Sequence, residues 1–135
     1  MNITVYLPDE IGERAKAAEL PVSRLLRDAV VNELERRAAV TKALALSEVH
    51  ELQLEDKDGR AYIGRVAGAI LALESQGAKH VEVYLTDDER VILYDGNKRS
   101  YFVVEDPVEE LRGYLTLDSY IDILDSLGET PIIEV

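Results

Sequence analysis

The chain of 135 residues contains no cysteine, one methionine, one phenylalanine and two histidines. Without cysteine there is no disulfide framework, no thiolate metal site and no thiol nucleophile, and a reducing, cytoplasmic setting is the expectation. Two histidines leave little for metal binding or acid–base catalysis, so neither cofactor nor metal is expected. Long apolar runs are missing as well. The longest, Val66 to Leu73 with Gly68 inside it, is far too short to span a bilayer, and the first residues lack a basic region followed by an apolar one. A membrane is therefore not an expected partner.

A hydrophobic content of 47% is enough to bury a core, in one domain or two small ones. The net charge of −12 disfavours nucleic acid as a partner for the chain as a whole, because phosphate neutralisation dominates non-specific affinity. The charge is unevenly spread, however. Up to residue 46, Arg14, Lys16, Arg24, Arg27, Arg36, Arg37 and Lys42 cancel Asp9, Glu10, Glu13, Glu19, Asp28, Glu33 and Glu35, so the whole deficit falls on residues 47–135. The neutral segment can meet DNA if its arginines gather on one surface, and the acidic remainder is repelled from it.

The first stretch, Asn2-Ile3-Thr4-Val5-Tyr6-Leu7-Pro8, alternates strictly, with Ile3, Val5 and Leu7 on one face and Asn2, Thr4 and Tyr6 on the other. A strand this short needs a partner strand and a cover, and a second copy of the chain is the natural partner. Asp9 and Glu10 then suit a helix N-terminus, and Pro21 ends a short helix over about Asp9 to Glu19. A longer helix follows to around Ser47, with Val22, Leu25, Leu26, Ala29, Val30 and Leu34 as its apolar stripe. From Val49 the period changes to two, and turn signals at Asp58-Gly59, Gln76 to Lys79, Thr86 to Glu89 and Asp95 to Lys98 divide residues 49–104 into a five-stranded antiparallel meander. Gly64 and Gly68 suggest bulges or a bend within its second strand. Helices over about 107–115 and 117–127 supply the cover, the second with the stripe Tyr120, Ile121, Leu124 and Leu127 and a stop at Gly128. Pro131 to Val135 is extended and suits an edge strand. The expected organisation is α+β in two domains, 1–46 and 47–135.

The alternating N-terminal strand, short helix, corner and longer helix containing Val22-Ser23-Arg24-Leu25-Leu26-Arg27-Asp28-Ala29-Val30 resemble the ribbon-helix-helix family of DNA-binding proteins, most closely its antitoxin-type members and plasmid regulators. The resemblance covers residues 1 to about 40. It implies a homodimer whose paired first strands enter the major groove, where Asn2, Thr4 and Tyr6 would read base edges. Ile3, Val5, Leu7, Val22, Leu26 and Val30 would form the dimer core. A phosphate would sit at the start of the second helix, on the amides of Val22 and Ser23, the Ser23 hydroxyl, and Arg24 or Arg27. The ribbon lacks the basic residue common in the family, and Pro21 stands where many members carry a polar cap. The second half more loosely resembles small domains attached to such regulators, with no chemistry implied.

Residues 47–135 hold few candidates for chemistry. Asp87-Asp88-Glu89 is the densest carboxylate group and could face a hard cation, but adjacent residues in a short turn diverge, and a solvated hairpin tip is the simpler reading. His50 and His80 have no serine or paired carboxylate at a spacing that sequence ties to them. Tyr84, Tyr94, Tyr101 and Phe102 read as cross-strand and core contacts. The functional expectation is a non-enzymatic homodimeric repressor that binds operator DNA, with the acidic domain for further oligomerisation, ligand or partner binding. The alternatives are an antitoxin with a toxin partner and a dimeric interaction protein that does not bind DNA.

Overall fold

The computed structural model describes residues 8–18 and 21–135. Helix α1 spans Asp9–Ala17 and α2 spans Val22–Leu44. Strands β1 (Glu48–Glu55), β2 (Ala61–Gln76), β3 (Lys79–Thr86), β4 (Val91–Asp95) and β5 (Ser100–Val104) follow, then α3 (Pro107–Glu110), a 3-10 turn (Leu111–Gly113) and α4 (Leu117–Leu127). The chain divides into two compact units, Met1–Leu34 and Glu35–Val135, with the boundary inside α2.

In the first unit the structure departs from the ribbon-helix-helix class expected at the N-terminus. Its described elements are helix α1 and the start of α2, and among the described residues no strand precedes β1. The ribbon expectation itself falls on Asn2, Ile3, Thr4, Val5, Tyr6 and Leu7, outside the described residues. The physical weakness of that reading lies in its signal. Seven alternating residues specify a strand only when another strand supplies hydrogen bonds, and nothing in one chain's sequence guarantees that mate.

In the second unit the five strands form one antiparallel sheet in the order β1-β2-β3-β4-β5. Alternation decides its two faces. Val81, Val83 and Leu85 of β3, Val91 and Leu93 of β4 and Val104 of β5 point to one face, where Val40 of α2, Leu111, Leu115, Tyr120, Ile123, Leu124 and Leu127 cover them. Leu52, Leu54, Val66, Tyr84 and Tyr94 form a second cluster, on the other face of β3 and β4. The second cluster exists because the sheet curls. β2 pairs with β1 over residues 61–68 and with β3 over 68–76, with a bulge between Ile70 and Ala72. Gly68, in both ladders, lies so close to β3 that a Cβ there would sit 2.2 Å from the Leu85 carbonyl oxygen. β1 is thereby folded over towards β4: the Tyr94 hydroxyl donates to the Gln53 carbonyl at 2.6 Å, and Glu55 N–H donates to the Arg99 carbonyl at 3.0 Å.

The helical cover differs in detail from the periodicity. The segment expected as one helix over 107–115 breaks after Glu110 into the 3-10 turn. In α4, Ile123 is fully buried while Ile121 is 36% exposed, so the buried stripe runs through Tyr120, Ile123, Leu124 and Leu127. Gly128 ends α4 in the left-handed region at φ +68° and packs on α2, where a Cβ would come within 2.6 Å of the Arg36 Cα. Pro131 to Val135 joins no sheet.

Candidate functional site

In the first unit, Pro21 stands before α2 and contributes its carbonyl, which accepts from Leu25 N–H at 2.9 Å. Ser23, Arg24 and Arg27 follow within the first two turns, and all three are exposed. Ser23 and Arg27 share a face at a spacing of four. Among the described residues neither Arg24 nor Arg27 forms an ion pair, and the Arg24–Asp28 pair allowed by helical spacing is not made. These side chains present charge and donors to solvent.

The apolar residues beside them are unusually bare. Leu25 is 48% exposed, Val31 45%, Leu34 61% and Ile11 of α1 51%. Of the residues assigned to a dimer core, Val22 and Leu26 are half-buried and Val30 is 37% exposed. Because Val22, Leu26, Val30 and Leu34 recur every four residues, they line one side of the helix. The expected base readers Asn2, Thr4 and Tyr6 and the expected core residues Ile3, Val5 and Leu7 fall outside the described residues.

The acidic hairpin of the second unit is built from within. Thr86, a buried polar residue, accepts from Arg90 N–H at 2.9 Å through its hydroxyl, which itself donates to the Asp88 carboxylate. Arg90 Nε donates to the other Asp88 oxygen at 2.8 Å. The Thr86 hydroxyl, with Arg90 beside it, holds the Asp88 carboxyl below the usual carboxylate range. Asp87 accepts from the Ser47 hydroxyl, and Glu89 turns the chain at φ +64°. With these groups already committed, the tip is a structured turn, and among the described residues no group of three His, Asp or Glu side chains is placed to hold a metal.

A set of titratable groups lies on the concave face of the sheet and brings together His50, His80, Tyr84 and Tyr94 with Glu82, which the sequence did not single out. His80, Glu82 and Tyr84 alternate along β3, Tyr94 of β4 stands opposite Glu82, and His50 reaches over from β1. His50 Nε2 is 3.1 Å from the Gly68 carbonyl, and its ring centroid is 4.9 Å from that of Tyr84. His80 Nε2 is 3.7 Å from a Glu82 oxygen. Burial, then the neighbouring Glu82 carboxylate, raises the Tyr84 hydroxyl far above its ordinary value, and the same two causes raise Tyr94 less. The period-two placement of 80, 82 and 84 was the available signal; the approach of His50 depends on the curl and carries no local mark. The Tyr94 hydroxyl donates to the Gln53 carbonyl and the His50 ring meets the Gly68 carbonyl, so the cluster ties β1 to β4 and β2.

Compared with known proteins, the chain matches no family model, no curated protein and no solved structure. Among the described residues no helix is long and apolar enough to cross a membrane.

Proposed function

We propose that the chain is a homodimeric DNA-binding regulator of transcription, which acts by occupying DNA rather than by catalysis. The first unit joins the copies and contacts the duplex, and the acidic sheet unit serves a partner or effector. One observation carries the reading: Ile11, Leu25, Val30, Val31 and Leu34 are 37% to 61% exposed in the single chain. On α2, Val30, Val31 and Leu34 lie within about 100° of one another around the helix, and an exposed apolar stripe of this kind suits a covering partner. A second copy suits it because residues 1–46 are electrically balanced, whereas residues 47–135 carry the entire −12 and repel their own kind.

The DNA part rests on Ser23, Arg24 and Arg27, exposed at the start of α2 next to that surface. A helix start with free N–H groups and two guanidiniums is suited to phosphate. An antitoxin tail that orders only on binding fits residues 35–135 poorly, because they carry their own core.

Light scattering and an electrophoretic shift on the chain's own promoter fragment test the reading together. The expected result is a dimer at micromolar concentration whose sequence-selective binding weakens with salt. Arg24→Ala and Arg27→Ala should each lower the slope of log affinity against log salt by about 1, the effect of one fewer neutralised phosphate. A monomer that ignores DNA at low salt would overturn the proposal; a dimer that ignores DNA would reduce it to an interaction module.

A further inference from the structure

Going beyond the regulator reading, we propose that the outer edge of β5 is a docking site for an extended peptide segment of another protein, apolar at alternate positions and flanked by Lys or Arg, which adds to the sheet as a sixth strand. β5 ends the sheet, and Ser100-Tyr101-Phe102-Val103-Val104 carries neither a charge nor a proline. Among the described residues no strand and no backbone hydrogen bond occupies its outer edge. Soluble proteins usually guard such an edge with charge, proline, a bulge or a cover, because its N–H and C=O groups are a template for pairing. The opposite edge strand is guarded: β1 carries Glu48, Glu51 and Glu55 along its length. The two edges do not seal each other, since Glu55 N–H meets the Arg99 carbonyl just before β5 begins and leaves Tyr101 to Val104 beyond it.

The surroundings of β5 define what would fit. On the concave face Tyr101, paired in register with Tyr94, is 50% exposed. On the other face Phe102 packs against Tyr114 with ring centroids 5.5 Å apart, and Tyr114 is 41% exposed. A strand laid along β5 sends alternate side chains to those two faces, so each side meets an aromatic surface. The backbone supplies affinity and the aromatic surfaces supply selection. Charge chooses the partner. Glu105 and Asp106 are exposed immediately after β5; Lys98 and Arg99 precede it, Arg99 paired with Glu55 at 3.1 Å, and the surrounding half of the chain holds the whole charge of −12. Basic flanks are attracted to that field, while a second copy of the same sheet would bring like charge against it.

The test uses the full chain and a labelled synthetic peptide, Lys-Lys-Val-Thr-Val-Thr-Val-Lys-Lys. Controls are the same peptide with Glu flanks and one with its central Val replaced by Pro. Fluorescence anisotropy should show saturable binding of the Lys-flanked peptide, about 10-fold weaker binding with Glu flanks, and none for the Pro peptide. Amide hydrogen exchange of the unaltered protein should slow on β5 and not on β1. Tyr101→Lys, at a half-exposed site, should weaken binding about 10-fold with an unchanged melting temperature. Absence of saturation, protection confined to another strand, or β5 amides protected by self-association without peptide would each overturn the proposal, and equal binding of the two flanked peptides would overturn its charge selection. DNA is absent from the assay, so its outcome is independent of the regulator reading.

Discussion

At Gly68, backbone chemistry decides whether the sheet can curl. A methyl group 2.2 Å from the Leu85 carbonyl oxygen and 2.7 Å from the Thr86 Cα has nowhere to go, because both neighbours are backbone. Gly68→Ala should cost about 3 kcal/mol, at the upper end of overpacking effects, read as a lower denaturant midpoint. Tyr94→Phe removes the 2.6 Å bond to the Gln53 carbonyl and should cost on the order of 1 kcal/mol. The tyrosines also predict an alkaline limit. With folded-state pKa values raised above 10.0, Tyr84 and Tyr94 stabilise the fold fully below pH 10 and lose that contribution as pH rises past it, because the unfolded hydroxyls ionise first. Unfolding titrations of wild type and Tyr84→Phe from pH 9 to 11 should diverge, the variant keeping the shallower slope. Some of this was legible in sequence. The period of two from Val49 puts Leu52 and Leu54 on one face and Val49 on the other, and they are 1%, 3% and 65% exposed. Gly68 could be marked as a site of irregularity, but its cause, the backbone of Leu85 on the next strand, is a tertiary approach with no local signature.

At the scale of elements, α4 shows how a helix start is tied to the sheet it covers. Thr116 is its N-cap, accepting from Ser119 N–H, and both its N–H and its hydroxyl donate to Glu74 of β2 at 2.9 and 2.6 Å. Burial pushes the Glu74 carboxyl up, but hydrogen bonds from Thr116 and Ser119, with Lys79 at 3.7 Å, outweigh it and leave it below its ordinary 4.5. A lowered folded-state pKa stabilises above the unfolded value and is lost as pH falls through the folded one. The link between β2 and α4 should therefore hold at neutral pH, its contribution declining as pH falls below 4.5 and gone once pH passes below the lowered folded-state value. Glu74→Gln should lower stability at pH 7 by about 1 kcal/mol and flatten the acid limb of the stability–pH curve. Capping signals such as Asp106-Pro107 and Gly128 located their helix ends from sequence because they act within a few residues. Glu74, 42 positions before Thr116, could not be read that way. Stripes were legible only where the covering surface matched the helix: Ile121 has the right spacing but faces solvent.

For the whole molecule, the organising fact is the partition of charge, balanced over residues 1–46 and −12 over residues 47–135. Covering Val31 and Leu34 in a dimer would be worth at most about 2 kcal/mol per side chain, and association itself costs several kcal/mol, so the proposed interface needs further apolar contacts to be stable. Removing one member should then matter out of proportion to its area. Leu34→Asp, at the most exposed of them, places a charge where the proposed second copy would pack, at a site 61% exposed in the single chain. It should shift the monomer–dimer equilibrium towards monomer by at least about 10-fold in sedimentation equilibrium while leaving the melting of the sheet unit at low protein concentration unchanged. DNA affinity should fall with it, because a dimer engages two sets of Arg24 and Arg27 and a monomer one. Loss of dimer with undiminished DNA affinity would separate the two roles given to the first unit and leave the duplex bound by single chains.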